Sequence, residues 1–173
     1  MIPPDVFLAD YIQPGLRELE RLGGPLPSRQ AELFMLAIAQ QESGPNLNAR
    51  YQHSPRPVAG PARGWWQFET AGVEGVLAHR ASRTLALAAC ELYVVVPQAA
   101  PVHRALEGHD MLACMIARLL IWTDPAPLPT TWQDGWRYYM RTWRPGRPHE
   151  NRWPGHWDTA TRTVEHGELS EVR

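Results

Sequence analysis

Apolar residues recur every three or four positions through much of this chain, which is the spacing of an amphipathic α-helix. Leu8, Ile12 and Leu16 follow this spacing and predict a first helix over residues 5–22. Pro14 lies inside this stretch. Because proline has no backbone N–H and its ring clashes with the preceding turn, we expect Pro14 to kink or divide the helix.

Five further stretches predict helices by the same spacing: residues 29–41, 70–78, 82–96, 111–122 and 132–143. The first of these is almost wholly apolar, so we expect it to be central and buried. Ser28 precedes it as a good N-cap, and Gly44 follows it as a stop signal. Residues 46–63 are polar and rich in Pro and Gly. The pattern therefore predicts a mainly α fold with at most a small β-hairpin between residues 46 and 68.

The last part of the chain is dominated by proline, glycine and charged residues. We expect residues 1–145 to form the folded domain and residues 146–173 to form an extended tail. Trp153 and Trp157 lie within that tail. Exposed tryptophans and arginines are favoured as interface anchors, so the tail is predicted to pack on another chain or on the surface of its own domain.

Composition narrows the possibilities further. At 173 residues the chain can bury a core without disulfides or a structural metal, and its net charge of −1 implies no strongly charged partner overall. Cys90 and Cys114 each lie in an apolar stretch, which favours buried free thiols, with a single bridge between them left open. No secretory signal is visible at the start. The apolar run over residues 85–100 is too short to span a bilayer and contains Glu91 and Pro97.

The candidate chemistry begins with one carboxylate. Glu42 follows the apolar stretch 29–41, and about twenty residues later comes the run Gly64-Trp65-Trp66-Gln67. Burial against aromatic rings disfavours the charged form of a carboxyl group and raises its pKa. The negative end of a helix acts in the same direction. An acid that keeps its proton near neutral pH is suited to protonating a glycosidic oxygen.

This arrangement resembles the lysozyme-like superfamily, and most closely its soluble lytic transglycosylase branch. That branch has a Glu-Ser pair that closes a helix, here Glu42-Ser43, and then a Gly-Leu-Met-Gln-like element, here Gly64 to Gln67. The resemblance covers roughly residues 32–76. The branch's third element, an Ala-Tyr-Asn turn, has its nearest counterpart at residues 121–125. The resemblance implies a lysozyme-like fold and cleavage of the MurNAc–GlcNAc β-1,4 bond of peptidoglycan, with Glu42 as general acid and base and with no cofactor.

Other residues are candidates for the same site. Those predicted to contact the substrate are Ser43, Trp65, Trp66, Gln67 and Tyr138. The two tryptophans and Tyr138 suit a buried core as well as a sugar-binding cleft. Glu69 and Asp124 are candidates for a second carboxylate, which hydrolysis by the two-carboxylate mechanism would need. Asp124 also suits a simple turn before a proline.

Two further groups of residues bear on ligands. The seven histidines show no metal-ligand spacing, so no metal site is predicted. Five arginines accompany the aromatic residues of the C-terminal third: Arg137, Arg141, Arg144, Arg147 and Arg152. Such a cluster suits nucleic acid or anionic wall polymers. A solvated helix face is the favoured interpretation, and no specific nucleic acid is predicted as a partner.

The predicted substrate lies outside the cytoplasm, whereas the chain shows no export signal. We therefore expect delivery by a bacteriophage particle or a phage lysis system. The expected partners are peptidoglycan glycan strands and other virion proteins, and the place of action is the virion or the bacterial periplasm. The rival class is non-enzymatic: a structural or wall-binding virion protein on a lysozyme-like scaffold.

Overall fold

The computed structural model describes the backbone of residues 1–47 and 60–171, and side chains as far as residue 167. The described part is mainly α-helical. Its elements in chain order are α1 (Pro4–Phe7), a π-helical turn (Leu8–Ile12), α2 (Gln13–Arg21), α3 (Arg29–Ser43), α4 (Thr70–Ala78), α5 (Arg83–Leu92), α6 (Ala99–Ala105), α7 (Asp110–Trp122), α8 (Trp132–Thr142), a 3-10 turn (Glu150–Arg152) and α9 (Trp153–Glu171). None of the helices described is long and apolar enough to cross a membrane.

The first predicted helix is confirmed, and Pro14 is accommodated without ending it. The chain passes from α1 to α2 through the π-helical turn, where the Gln13 N–H donates to the carbonyl of Leu8, five residues earlier. A π turn is one of the ways in which a helix adjusts where its regular i to i−4 bonds are interrupted. The buried Phe7, Leu8 and Ile12 are thereby kept on the side that faces the core.

Helix α3 is central, as its apolar sequence predicts. The hydroxyl of Ser28 accepts a hydrogen bond from the Ala31 N–H at 3.2 Å, which caps the helix. Nearly every residue from Ala31 to Gln40 is buried, and α3 packs against α9 and α7. Gly44 ends the helix with φ of 87°. The last turn of α3 therefore brings Glu42 to the boundary between core and surface.

The described part of the loop after α3 closes with a tight turn. Arg63 and Phe68 exchange two backbone hydrogen bonds of 2.9 Å each, which forms a single antiparallel bridge around residues 64–67. Gly64 has φ of 74°, and a Cβ there would come within 2.8 Å of the Leu106 carbonyl oxygen, so glycine is required. This bridge is the only β-pairing among the described residues. The remainder of the predicted loop or hairpin, residues 48–59, lies outside them.

The predicted extended tail is wrong. Residues 153–171 form helix α9, and Trp153, Trp157, Ala160 and Val164 are buried in the same core as α3. These four residues are spaced as one helical stripe. A Cβ on Gly135 would lie only 2.3 Å from the Trp157 ring, which shows how closely α8 and α9 approach. The core is therefore continuous across the predicted boundary at residue 145.

The remaining helices follow the sequence pattern with adjusted ends. Helices α4, α7 and α8 lie where they were predicted, whereas α5 ends at Leu92 because Val94 adopts a left-handed φ of 55°. Helix α6 was not predicted. Cys90 and Cys114 are buried free thiols, so the bridge left open by the sequence does not form.

Candidate active site

Glu42 is half-buried at the end of α3 and is held by a tyrosine of α8. The Tyr139 hydroxyl donates a hydrogen bond to Glu42 Oε1 at 2.5 Å. Tyr139 is itself fixed by aromatic neighbours: its ring stacks on Trp153 with ring centres 5.2 Å apart and on Trp143 at 6.4 Å. Among the described residues, Tyr139 is the only hydrogen-bond partner of the Glu42 carboxyl group.

The surroundings of Glu42 change its acidity. Burial raises the pKa of the Glu42 carboxyl group from 4.5 to about 7, and the hydrogen bond from Tyr139 opposes this rise. The pKa of Tyr139 is raised as well, first by burial and then by the negative charge of Glu42, so its hydroxyl keeps the proton that it donates. Near neutral pH, Glu42 is therefore able both to give and to take a proton.

The two sequence motifs meet at Ser43. Its hydroxyl donates to the Trp65 carbonyl oxygen at 2.6 Å. The residue as a whole is 3% exposed. This bond holds the turn of residues 64–67 against the end of α3, as the order of the motifs predicted. Ser43 is buried in this contact, which joins the turn to the helix end that carries Glu42. Contact between Ser43 and a substrate stays a prediction.

Trp65 and Trp66 are core residues. They are 4% and 0% exposed, and their indole N–H groups donate to Asp110 Oδ1 at 2.9 Å and to the Met35 carbonyl at 3.0 Å. The ring of Trp65 also meets Phe7 edge-on, with ring centres 5.5 Å apart. This burial agrees with the core interpretation that the sequence left open, and contact between either tryptophan and a sugar stays a prediction.

Gln67 is the member of the second motif that keeps exposed surface. It is half-buried, has a left-handed φ of 48°, and donates from Nε2 to the Gly64 carbonyl at 2.9 Å. The left-handed backbone is uncommon for a residue other than glycine. Contact between Gln67 and a substrate stays a prediction.

Tyr138 lies in the core and does not contact Glu42. Its side chain is 2% exposed, its hydroxyl donates to the Ile121 carbonyl at 2.9 Å, and its ring meets Phe34 edge-on at 5.2 Å. Helix geometry explains this placement, since adjacent residues point about 100° apart and only one of two neighbouring tyrosines faces Glu42. That residue is Tyr139.

Sequence reasoning missed Trp143. Its ring is half-buried, stacks on Tyr139, and donates from Nε1 to the Trp66 carbonyl at 3.0 Å. Trp143 therefore joins α8 to the turn of residues 64–67. The available signal was the spacing of Trp136, Tyr139 and Trp143, which is that of one aromatic helix face. Glu42, Gln67 and Trp143 are each half-buried, and contact between them and a ligand stays a prediction.

The two candidates for a second carboxylate differ in their surroundings. Glu69 is exposed and immediately precedes α4. Asp124 accepts hydrogen bonds from Arg141 Nε at 2.5 Å and from the Ala126 N–H at 2.9 Å. Burial tends to raise the pKa of Asp124, but these two bonds outweigh it, so the pKa is lowered. Asp124 is therefore a stable ionised partner of Arg141 and a poor base.

The described residues form two surface cavities apart from the site already described. One surface cavity, of about 460 Å³, lies among α4, α5 and α6, and another, of about 810 Å³, lies between the N-terminal helices and α9. Neither is lined by Glu42. In the described residues, no group of three or more His, Cys, Asp or Glu side chains is placed to hold a metal ion.

Comparison with known proteins found no relative of this chain. No protein-family model, no curated protein and no solved structure matches this chain.

Proposed function

We propose that this protein is a peptidoglycan-cleaving glycosidase on a lysozyme-like fold, which cuts the MurNAc–GlcNAc β-1,4 bond as a lytic transglycosylase. The observation that carries the proposal is the state of Glu42: a single carboxyl group at a helix end, bound by the Tyr139 hydroxyl, with a pKa raised to about 7 by burial. The adjacent Glu42-Ser43 and Gly64-to-Gln67 motifs, joined by the Ser43–Trp65 hydrogen bond, support it further.

In this proposal, one residue performs both proton transfers. Protonated Glu42 gives its proton to the glycosidic oxygen as the bond from that oxygen to C1 of MurNAc breaks. The resulting Glu42 carboxylate is stabilised by the hydrogen bond that Tyr139 donates. It then takes the proton of the MurNAc C6 hydroxyl while that oxygen bonds to C1. The product carries a 1,6-anhydro ring, and water takes no part.

The carboxylates around the site favour this reaction over hydrolysis. Glycoside hydrolysis ordinarily uses two carboxyl groups on either side of the scissile bond. Asp124 is paired with Arg141, and Glu69 is exposed at the start of α4. Since Asp124 is paired with Arg141, a mechanism that needs only one acid and base is the better supported of the two.

A second candidate function is favoured by the burial of the tryptophans. Because Trp65 and Trp66 present no open face, the site has less aromatic surface for sugar rings than the motif implies. This favours a structural or wall-binding virion protein that keeps the lysozyme-like scaffold without cleaving its ligand. In either case we propose that the protein reaches the cell wall as part of a phage particle or through a phage lysis system.

Two matched variants test the proposed function. Glu42→Gln keeps the shape of the side chain and removes the titrating proton, so we expect wall-clearing activity to fall by at least ~10²-fold. Glu91→Gln makes the same chemical change at an exposed carboxyl group of α5 and should leave activity near that of the wild type. Release of soluble fragments from dye-labelled peptidoglycan measures both. Equal activity of the Glu42→Gln variant and the wild type would remove Glu42 from the mechanism.

A further inference from the structure

The segment of residues 144–152, here called the basic segment, joins α8 to α9 and carries three exposed arginines, Arg144, Arg147 and Arg152. It also contains one acidic residue, Glu150, so three positive charges and one negative charge give it a net charge of +2 with histidine neutral. Within the described part of the chain, none of these three arginines forms an ion pair. Their charges are therefore not neutralised by a carboxylate of the described residues.

The neighbouring arginines of α8 differ in this respect. Arg141 is paired with Asp124, and Arg137 is paired with Asp134 one helical turn away. The cluster recognised in the sequence thus separates into two parts. Its helical part is an ordinary solvated face with internal partners, and its loop part presents guanidinium groups without a carboxylate.

The basic segment is fixed beside Glu42 at both ends and in its middle. Trp143, which precedes it, and Trp153, which follows it, both stack on Tyr139, the residue that binds the Glu42 carboxyl group. In between, Gln41 donates from Nε2 to the His149 carbonyl at 3.3 Å. The segment therefore borders the end of α3 that carries Glu42.

The backbone of Arg144 ends α8. Its φ of 49° lies in the left-handed region directly after the C-cap residue of that helix, as the φ of Val94 does after α5. Here the hydrogen bond from Arg144 Nε to the Arg141 carbonyl, at 3.3 Å, fixes the guanidinium base at the point where the chain leaves α8.

We propose that the basic segment binds the carboxylate groups of the peptide stems that peptidoglycan carries on MurNAc, next to the bond that Glu42 would cleave. This inference rests on the proposed function. Arginine forms paired hydrogen bonds with carboxylates, and such bonds are about twice as strong as neutral ones. The protein has a net charge of −1, whereas nucleic-acid-binding domains are commonly basic overall. A local carboxylate ligand fits this distribution better.

The test compares two substrates and two triple variants. The first substrate is peptidoglycan with intact stems, and the second is the same glycan after an amidase has removed the stems. The test variant is Arg144→Gln, Arg147→Gln and Arg152→Gln. The control variant removes the same charge at three exposed arginines of α2, the turn before α5, and α5 itself: Arg17→Gln, Arg80→Gln and Arg83→Gln. All the substituted side chains are exposed, and unchanged melting temperatures would confirm that both variants fold.

We expect the test variant to raise KM about 10-fold on the stem-bearing substrate, which corresponds to about 1.4 kcal/mol over three arginines, and to lose this effect on the stem-free glycan. The control variant should match the wild type on both. An equal rise on both substrates, or no rise on either, would overturn the proposal. The proposal would also be overturned if the test variant lost binding to an oligonucleotide while its KM for peptidoglycan did not depend on the stems.

A binding measurement separates failure of this inference from failure of the proposed function. The wild type and the test variant are each sedimented with intact and with stem-free cell-wall sacculi at low and physiological salt. Retention that needs both the stems and the three arginines supports the inference even if no bond is cleaved. Retention that is independent of either contradicts it, whether or not the protein proves to be an enzyme.

Discussion

The raised pKa of Glu42 links catalysis to stability. The group titrates at 4.5 when unperturbed and at about 7 in the folded protein, because burial disfavours the carboxylate. The folded state therefore holds the proton more tightly than the unfolded state does. A group whose pKa is raised on folding contributes stability that is fully present below the unfolded pKa and is lost as pH rises through the folded value. For Glu42, this loss extends from about pH 4.5 to about pH 7.

The size of the effect follows from the shift. A difference of roughly 2.5 pH units, multiplied by 1.36 kcal/mol per unit, gives about 3 kcal/mol of stability that the ionised Glu42 removes. Glutamine has nearly the same shape and does not titrate. We therefore expect Glu42→Gln to abolish this part of the pH dependence, so that the variant becomes more stable relative to the wild type as pH rises.

Urea unfolding at pH 5 and at pH 8 measures the effect. Between these values the free energy of unfolding of the wild type should fall by about 2–3 kcal/mol more than that of Glu42→Gln. The matched control is Glu91→Gln, which makes the same chemical change at an exposed carboxyl group. Parallel curves for wild type and Glu42→Gln would refute the raised pKa and, with it, the physical basis of the proposed acid.

Three further variants test other contacts. Tyr139→Phe removes a hydrogen bond that lowers the pKa of Glu42, so the alkaline limb of the pH profile of kcat/KM should move to higher pH, and movement to lower pH would contradict this assignment. Gly135→Ala places a Cβ 2.3 Å from a tryptophan ring of α9 and should cost about 1–3 kcal/mol in urea unfolding, whereas Gly155→Ala, which meets nothing within 4 Å, should not. Val94→Gly relieves a left-handed φ at a side chain that is 93% exposed and should stabilise the protein by about 0.5–1 kcal/mol, so a loss of stability would refute the strain.

The position of Glu42 could be predicted because its determinants are local. Ser28 caps α3, an unbroken apolar run makes it central, and Gly44 ends it two residues after the acid. These signals act within one helix and its flanks. The turn of residues 64–67 was predictable for the same reason, since Gly64 marks it directly.

The partners of Glu42 could not be derived in this way. Tyr139 lies 97 positions further along the chain, and its choice over Tyr138 depends on how α8 is rotated against α3. Burial of Trp65 and Trp66 likewise depends on the packing of distant elements, because a tryptophan suits a core and a sugar platform equally well. Sequence spacing alone does not distinguish these outcomes.

Helix α9 was not predicted because the polar composition of this segment makes the helical spacing of its few apolar residues hard to recognise. Proline, glycine and charged residues dominate the end of the chain, yet the buried stripe needs only Trp153, Trp157, Ala160 and Val164. Pro154 also favours the start of a helix, since proline is well tolerated in the first turn. The high average polarity of this segment led to the prediction of an extended tail, although the helical spacing of the four buried residues was present in the sequence.

Product analysis tests the central claim most directly. Purified peptidoglycan is incubated with the wild-type protein and with Glu42→Gln, and the soluble fragments are identified by mass spectrometry. The account predicts muropeptides with 1,6-anhydro-MurNAc ends from the wild type and at least ~10²-fold less of them from the variant. Reducing ends would show a hydrolase that uses water, and the absence of any released fragment would contradict the enzymatic account and favour a wall-binding or structural protein.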